Sequence, residues 1–325
     1  MEIRPGHTPV SRLPHLAEAA GIRSIAACPV CVCARLRRCF EVRHIVDDPL
    51  FAWARHAGYS CAEIVECSDC GFAFKGRQPE PELLAQHYAE TGEDYQSRLA
   101  EDDPAARGDF AGARRFLWKQ LPRGGRVLDV GCGRGFFLKS LGAGWELCGV
   151  EPSASAAEFA KRQHGVQAHC GDFFSAGCGP GSFDAVTMLD VVEHLTQPAP
   201  MFAEARRILK PGGWLVVGTG NWGALTARLA GKQWAYLAIP DHLSFFSVSS
   251  LGRALAVAGF SRVSFQRLHH GPRSWEVTSG WMRAVLRHRA ISRFGPGVTR
   301  LPLFRSKGEE LPVPYFWDHL LSFAS

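Results

Sequence analysis

The 325 residues carry a net charge of +6, with 21% charged and 46% hydrophobic residues, which excludes a disordered chain and fits a globular enzyme with room for two domains. So small a positive excess does not predict nucleic-acid binding, and no apolar run is long enough to span a bilayer. Eleven cysteines without a signal-peptide pattern point to reduced thiols or metal ligands, not a disulfide framework, and to the cytoplasm.

Residues 1–25 read as a loosely ordered lead-in punctuated by Pro5, Pro9 and Pro14. Residues 26–78 hold two Cys-x-x-Cys knuckles, Cys28-Pro-Val-Cys31 and Cys67-Ser-Asp-Cys70, separated by 35 residues. Each knuckle offers two thiolates from a tight turn, and together they complete a tetrahedral site for structural zinc with no open coordination position. The first knuckle has Val32 where a glycine is common, and Cys33 and Cys39 lie close enough to substitute as ligands. A redox role needs a thioredoxin-like strand–helix context, which is absent. The basic run Arg35, Arg37, Arg38 reads as a solvated face. Residues 79–108 form an acidic linker with a short helix around Leu83–Tyr88.

From 109 to 270 strand and helix patterns alternate. A helix over 110–121 precedes a strand at Arg126–Val130 and a helix opening at Phe136. Next come strand 146–150, helix Ala154–His164 ending at Gly165, strand 166–169, strand Phe183–Leu189 and a helix from Pro198 to Leu209. Strand Trp214–Thr219 follows the Pro-Gly-Gly turn, then a helix capped by Ser249 and a strand over 263–268. Strict alternation predicts an α/β fold, a parallel sheet with helices on both faces. Residues 271–325 read as a basic extension. Its segment Gly280–Phe294 mixes Trp281, Val285, Ile291 and Phe294 with four arginines. Such a stretch either packs on the domain, the favoured reading, or contacts a membrane surface.

Val127-Leu-Asp-Val-Gly-Cys-Gly-Arg-Gly135 runs a strand into a glycine loop, the edge where open α/β sheets bind ligands. Glu151 follows 22 residues after Asp129 and is placed to meet ribose hydroxyls. Gly171-Asp172-Phe173 ends the third strand, Asp190-Val-Val-Glu-His-Leu195 the fourth, and Leu209-Lys-Pro-Gly-Gly213 introduces the fifth. A nicotinamide dehydrogenase is disfavoured, since its phosphate loop needs a third glycine three residues after the second.

Together these motifs resemble the class I S-adenosylmethionine-dependent methyltransferases, across roughly Phe110–Leu268. The resemblance implies a Rossmann-like seven-stranded sheet with a small N-terminal zinc-ribbon domain, and Asp129, Gly131 and Gly133 at the methionine part of the cofactor. It places Glu151 at the ribose, Asp172 and Phe173 at the adenine, and Leu189 and Asp190 beside the pocket. With the cysteine ribbon and Gln78-Pro-Glu-Pro, Leu84, Tyr88 and Tyr95, the chain is similar to a bacterial zinc-ribbon group that includes deoxysugar C-methyltransferases. In that group the ribbon is structural and helps cover the substrate.

Methyl transfer to an OH, NH or acidic CH group needs an aligned nucleophile and removal of its proton. His194, beside Glu193, and His242 in Asp241-His-Leu-Ser-Phe-Phe-Ser247 are the candidate bases. The second segment resembles one in the sugar C-methyltransferases where the histidine is a base. Here Asp241 replaces the usual Glu, and Ile239-Pro240 stand where those enzymes carry a polar or aromatic residue. Trp222, Trp234 and Tyr236 form either an acceptor wall or packing against the ribbon or sheet. The expected activity is methylation at O or C of a small-molecule acceptor, such as a sugar or biosynthetic intermediate. The alternatives are a non-catalytic cofactor-binding partner protein docking through its ribbon, and a nucleic-acid methyltransferase. The last is disfavoured by the lack of an Asn/Asp-Pro-Pro-Tyr motif after strand four.

Overall fold

A computed structural model describes residues 21–99, 108–270 and 317–325. The N-terminal part comprises β1 (Ile22–Ser24), β2 (Leu36–Arg43), α1 (Ala52–His56), β3 (Cys61–Cys67), β4 (Ala73–Lys75), β5 (Arg77–Pro79) and α2 (Pro81–Leu99). β1 pairs antiparallel with β5, so residues 22–24 are strand and not the end of an irregular lead-in. β2, β3 and β4 form an antiparallel sheet. α2 is far longer than the short helix expected there. The basic segment Gly280–Phe294 lies outside the described residues. Among those described, no helix is long and apolar enough to cross a membrane.

The central part runs α3 (Gly108–Gln120), β6 (Gly125–Val130), α4 (Phe136–Leu141), β7 (Trp145–Glu151), α5 (Ala154–His164), β8 (Gln167–Cys170), β9 (Phe183–Leu189), α6 (Pro198–Ile208) and β10 (Leu209–Gly220). It continues with α7 (Leu225–Ala230), α8 (Ala235–Ala238), β11 (Ser244–Phe245), α9 (Val248–Val257), β12 (Val263–His270) and β13 (Trp317–Ala324). Local chemistry sets several of these bounds. The Ser153 hydroxyl caps α5, and Gly165, at φ 67°, ends it with its N–H on the Ala160 and Lys161 carbonyls. The cap of α9 is Ser247, in a reciprocal box with Ser250, so the expected cap Ser249 sits inside the helix.

Seven strands form one sheet in the order β8-β7-β6-β9-β10-β13-β12. β8, β7, β6, β9 and β10 are parallel, whereas β13 runs antiparallel to both neighbours. This corrects the expected boundary at residue 270: the end of the chain is not an appendage but a strand inserted between β10 and β12. Neighbouring strand residues face opposite layers. Val127, Ala185 and Val216 pack with Leu117, Phe137, Leu138 and Ala160 of α3, α4 and α5. Leu128, Val186 and Val217 pack with Phe202, Ala205, Leu251 and Leu255 of α6 and α9. The fold is thus the expected Rossmann-like α/β sheet of seven strands, parallel except at β13.

Candidate active site at the strand ends

The glycine loop joins β6 to α4 at the C-terminal edge of the parallel strands, the ligand edge of such sheets. Gly131 takes φ 69°, and a Cβ there would come within 2.7 Å of Val191 Cγ2, so only glycine lets the chain turn under that side chain. The loop is tied to the next strand by Glu151. Its buried carboxylate accepts the Gly133 N–H at 2.8 Å and the Ser153 N–H at 2.9 Å. Burial raises the Glu151 pKa, partly offset by those two donors. Each carboxylate oxygen keeps a further lone pair for a ligand hydroxyl. Asp129, also buried, accepts the Thr187 hydroxyl at 2.5 Å, which fixes its rotamer below the loop. Open backbone, oriented carboxylates and a strand-end location fit a nucleoside bearing a charged amino-acid tail.

At the adenine position the structure amends the expectation. Asp172 Oδ1 accepts the N–H groups of Phe174 and Ser175 at 2.8 and 2.9 Å, and these bonds lower its pKa. The Phe173 ring is buried in the core, leaving only its main chain for a base, whereas Phe174 beside it is 53% exposed. Leu189 is buried among the residues packed under α4 and α5. Asp190 takes φ 55°, a left-handed conformation that a residue with a Cβ adopts only when its surroundings impose it. One such constraint is His319 of β13, whose Nε2 lies 2.9 Å from Asp190 Oδ1. Burial pulls the His319 pKa down, but the Asp190 charge and hydrogen bond outweigh it and the net shift is upward. Sequence reasoning missed His319. The signal available was the apolar run Leu320-Leu321 and Phe323-Ala324 directly behind it.

Above β9 and β10 the two candidate bases come together. The His194 and His242 rings meet edge to face, 4.8 Å between centroids. His194 Nδ1 lies 3.2 Å from Asp241 Oδ2 and 3.1 Å from the Tyr88 hydroxyl, so α2 contributes to the site. Burial alone would depress His194, yet Asp241, with Glu193 and Asp190 behind it, pushes it up to about 9. Burial would raise Asp241, but the His194 charge and hydrogen bond hold it well below the usual carboxylate range. His242 shifts the other way, because burial and the neighbouring His194 cation both keep it neutral. Its Nδ1–H donates to the Tyr236 carbonyl at 3.1 Å, which leaves the lone pair on Nε2. Tyr236 and Trp234 are buried against Val42, Ile64, Ala73 and Phe245, so they pack on the N-terminal sheet. The Tyr236 hydroxyl donates to Glu193 at 2.6 Å.

The cysteines of the two knuckles also converge. Cys28, Cys31, Cys67 and Cys70 place their sulfurs within 4.8 Å of one another, with Cys28–Cys70 at 3.6 Å and Cys31–Cys67 at 3.5 Å. Thiolates at ~2.3 Å from a tetrahedral ion sit roughly 3.8 Å apart, so the set fits zinc. Cys33 and Cys39 are not in the cluster. Gly71 closes the second knuckle at φ 69°, and Val32 closes the first at φ 59°, taking glycine's conformation without being glycine. The nearby basic run is ion-paired: Arg37 with Glu66, Arg38 with Glu63, Arg35 with Asp69.

A family model described as a methyltransferase domain matches residues 103–264. The chain is 30% identical over 172 residues to a ubiquinone biosynthesis O-methyltransferase of Thiobacillus denitrificans, covering 49% of this chain and 74% of that protein. It is 29% identical over 163 residues to the protein of the same name from Burkholderia pseudomallei, covering 46% and 70%. The solved 1,6-didemethyltoxoflavin-N1-methyltransferase of Burkholderia thailandensis is 17% identical, covering 80% of this chain and 97% of that one, at a TM-score of 0.49. The chain belongs to the methyltransferase-domain family and is an S-adenosylmethionine-dependent methyltransferase.

Proposed function

We propose that the enzyme methylates a hydroxyl oxygen of a small-molecule acceptor, held where His194 and His242 meet. The observation that carries this is the meeting of two imidazoles edge to face, with the Asp241 carboxylate against His194 Nδ1 and the Tyr236 carbonyl against His242 Nδ1, an arrangement that pushes the His194 pKa up and the His242 pKa down. Neighbouring groups whose environments push their pKa values apart divide acid and base roles between them. His242 Nε2 takes the acceptor proton, while the His194 cation stabilises the charge developing on oxygen. The bound cofactor supplies an electrophilic methyl group. Asp129, Gly131 and Gly133 hold its methionine part, Glu151 its ribose, and Asp172 with the Phe173 main chain its base. Leu189 and Asp190 line the pocket beside it. The relatives named for ubiquinone biosynthesis are O-methyltransferases, which supports oxygen as the acceptor atom.

In the same reading residues 26–78 bind one structural zinc through Cys28, Cys31, Cys67 and Cys70. Four thiolates leave that ion no open position, so it takes no part in methyl transfer.

The test is a screen for S-adenosylhomocysteine formation against catechols, nucleotide sugars and lipid-linked acceptors. On the accepted substrate, His242→Gln is expected to lose roughly 10²–10⁴-fold in kcat with unchanged S-adenosylhomocysteine affinity. Full turnover by the variant would remove His242 as the base.

A further inference from the structure

The sheet that carries the cysteine knuckles does not stop at β4. Its next strand is β11, which directly follows His242 in the chain: Ser244 pairs with Phe74 and Phe245 with Ala73. Lys75 ends β4 at this seam. Its main-chain N–H donates to the Leu243 carbonyl at 2.9 Å. Its side chain is fully buried, and Nζ donates to the carbonyls of Ile239 at 2.6 Å and Pro240 at 3.1 Å. From the opposite side, the Leu243 N–H donates to the Glu193 carbonyl at 2.7 Å and the Ser244 hydroxyl to the Leu195 carbonyl at 2.8 Å. The five residues 239–243 are therefore held between β4 and the turn that carries His194.

A buried amine is tolerated only where its hydrogens find acceptors. Burial moves the Lys75 amine well below the usual lysine range, with Asp241 the acid that opposes the shift. As ammonium or as amine, Nζ has hydrogens for both carbonyls. Nζ also lies over the Tyr59 ring, 5.7 Å from the centroid. A lysine placed only to fill the core would be replaced without loss by an apolar side chain of equal length. This one instead spends its donors on the two peptides immediately before Asp241-His242.

We propose that Lys75 is a positioning residue: from the cysteine-bearing sheet it sets the main chain of residues 239–243 and so the seat of Asp241 and His242. The N-terminal unit is on this view a working wall of the site, not a separate docking module. The consequence for catalysis rests on the reading of His242 as the base, but the test below needs no acceptor and stands apart from that reading.

In the full chain as purified, Lys75→Met keeps the stem and removes both donors. Deuterium exchange read by mass spectrometry is expected to show peptides over 239–243 exchanging about tenfold faster, as loss of two buried hydrogen bonds that anchor this segment permits. Strands β6 and β9 and the affinity for S-adenosylhomocysteine remain as in the parent. The imidazole nitrogen resonances of His194 and His242 shift, because Asp241 moves with the released carbonyls. Unchanged exchange and unchanged imidazole signals in a variant that binds S-adenosylhomocysteine overturn the proposal. If Lys75→Met does not bind it, Lys75→Leu, which likewise has no donor, is read the same way. Faster exchange confined to 239–243 then supports the proposal, and exchange equal to the parent overturns it. Loss of protection in β6 and β9 in both variants also overturns it, since the lysine would then hold the fold and not the loop.

Discussion

Asp241 and His194 set the electrostatics of the site, and the direction of their shifts makes a prediction about pH. The folded pKa of His194 is raised from 6.5 to about 9, so the stability it contributes is whole below 6.5 and is lost as pH rises through about 9. The folded pKa of Asp241 is depressed below 3.8, so its contribution is present above that value and is lost only in strong acid. The pair therefore stabilises the fold across the neutral range and weakens on the alkaline side. Urea unfolding from pH 7 to pH 10 should show a loss in the parent that His194→Gln lacks; parallel curves would exclude the pair as its source. Both residues were legible as candidates, because acid-histidine dipeptides stand out in sequence. Which histidine is charged was not, since that depends on a carboxylate 47 positions away in the chain. Tyr88 could be read only as a residue of the short helix, and Lys75 was not marked at all, with nothing local to show the partners of either.

Secondary-structure elements divide the same way. β9 and α5 match their expected bounds because a continuous apolar run, or a serine cap with a terminal glycine, is local information. β13 escaped notice because its polar start lies at the end of a basic, proline-bearing tail, and its partners are β10 and β12. Removing the chain from Trp317 onward is expected to part β12 from the rest of the sheet, exposing the edges of β10 and β12 and leaving the protein aggregated. The finer variant His319→Gln keeps the strand. It should weaken S-adenosylhomocysteine binding, read by calorimetry, by about tenfold, because Asp190 loses a charge-assisted partner that holds its left-handed backbone. Wild-type affinity would show that β13 serves the sheet alone.

Taken whole, the molecule does not separate into a ribbon and an enzyme. Cys28, Cys67, Cys70, Phe72 and Phe74 belong to the same apolar cluster as Val186, Phe202 and Leu251, with the Phe72 and Phe246 rings 4.7 Å apart. Arg253 of α9 reaches Asp69, between the cysteines of the second knuckle, at 2.5 Å. That exposed ion pair adds little by itself, and the shared core carries the junction. If the cysteines hold zinc as proposed, a chelator is accordingly expected to lower the melting temperature of the whole protein in one transition. It should also accelerate exchange in β11 and residues 239–243 as well as in β2–β4. Independent melting of the two parts, or metal analysis finding no zinc in the purified protein, would contradict this.

Local pattern along the chain was enough for the parallel α/β order, for the glycine loop with its two carboxylates and for the two paired cysteine knuckles. These follow from backbone conformation, apolar periodicity and ligand valence, which act over a few residues. The tertiary structure decided what distance along the chain conceals. It placed the last strand inside the sheet and turned Phe173 into the core. It brought His319 to Asp190 and set Lys75 beneath the segment that carries Asp241 and His242. Each of those depends on which buried polar group finds its partner across the fold, and burial strengthens such pairings without leaving a local trace in the sequence.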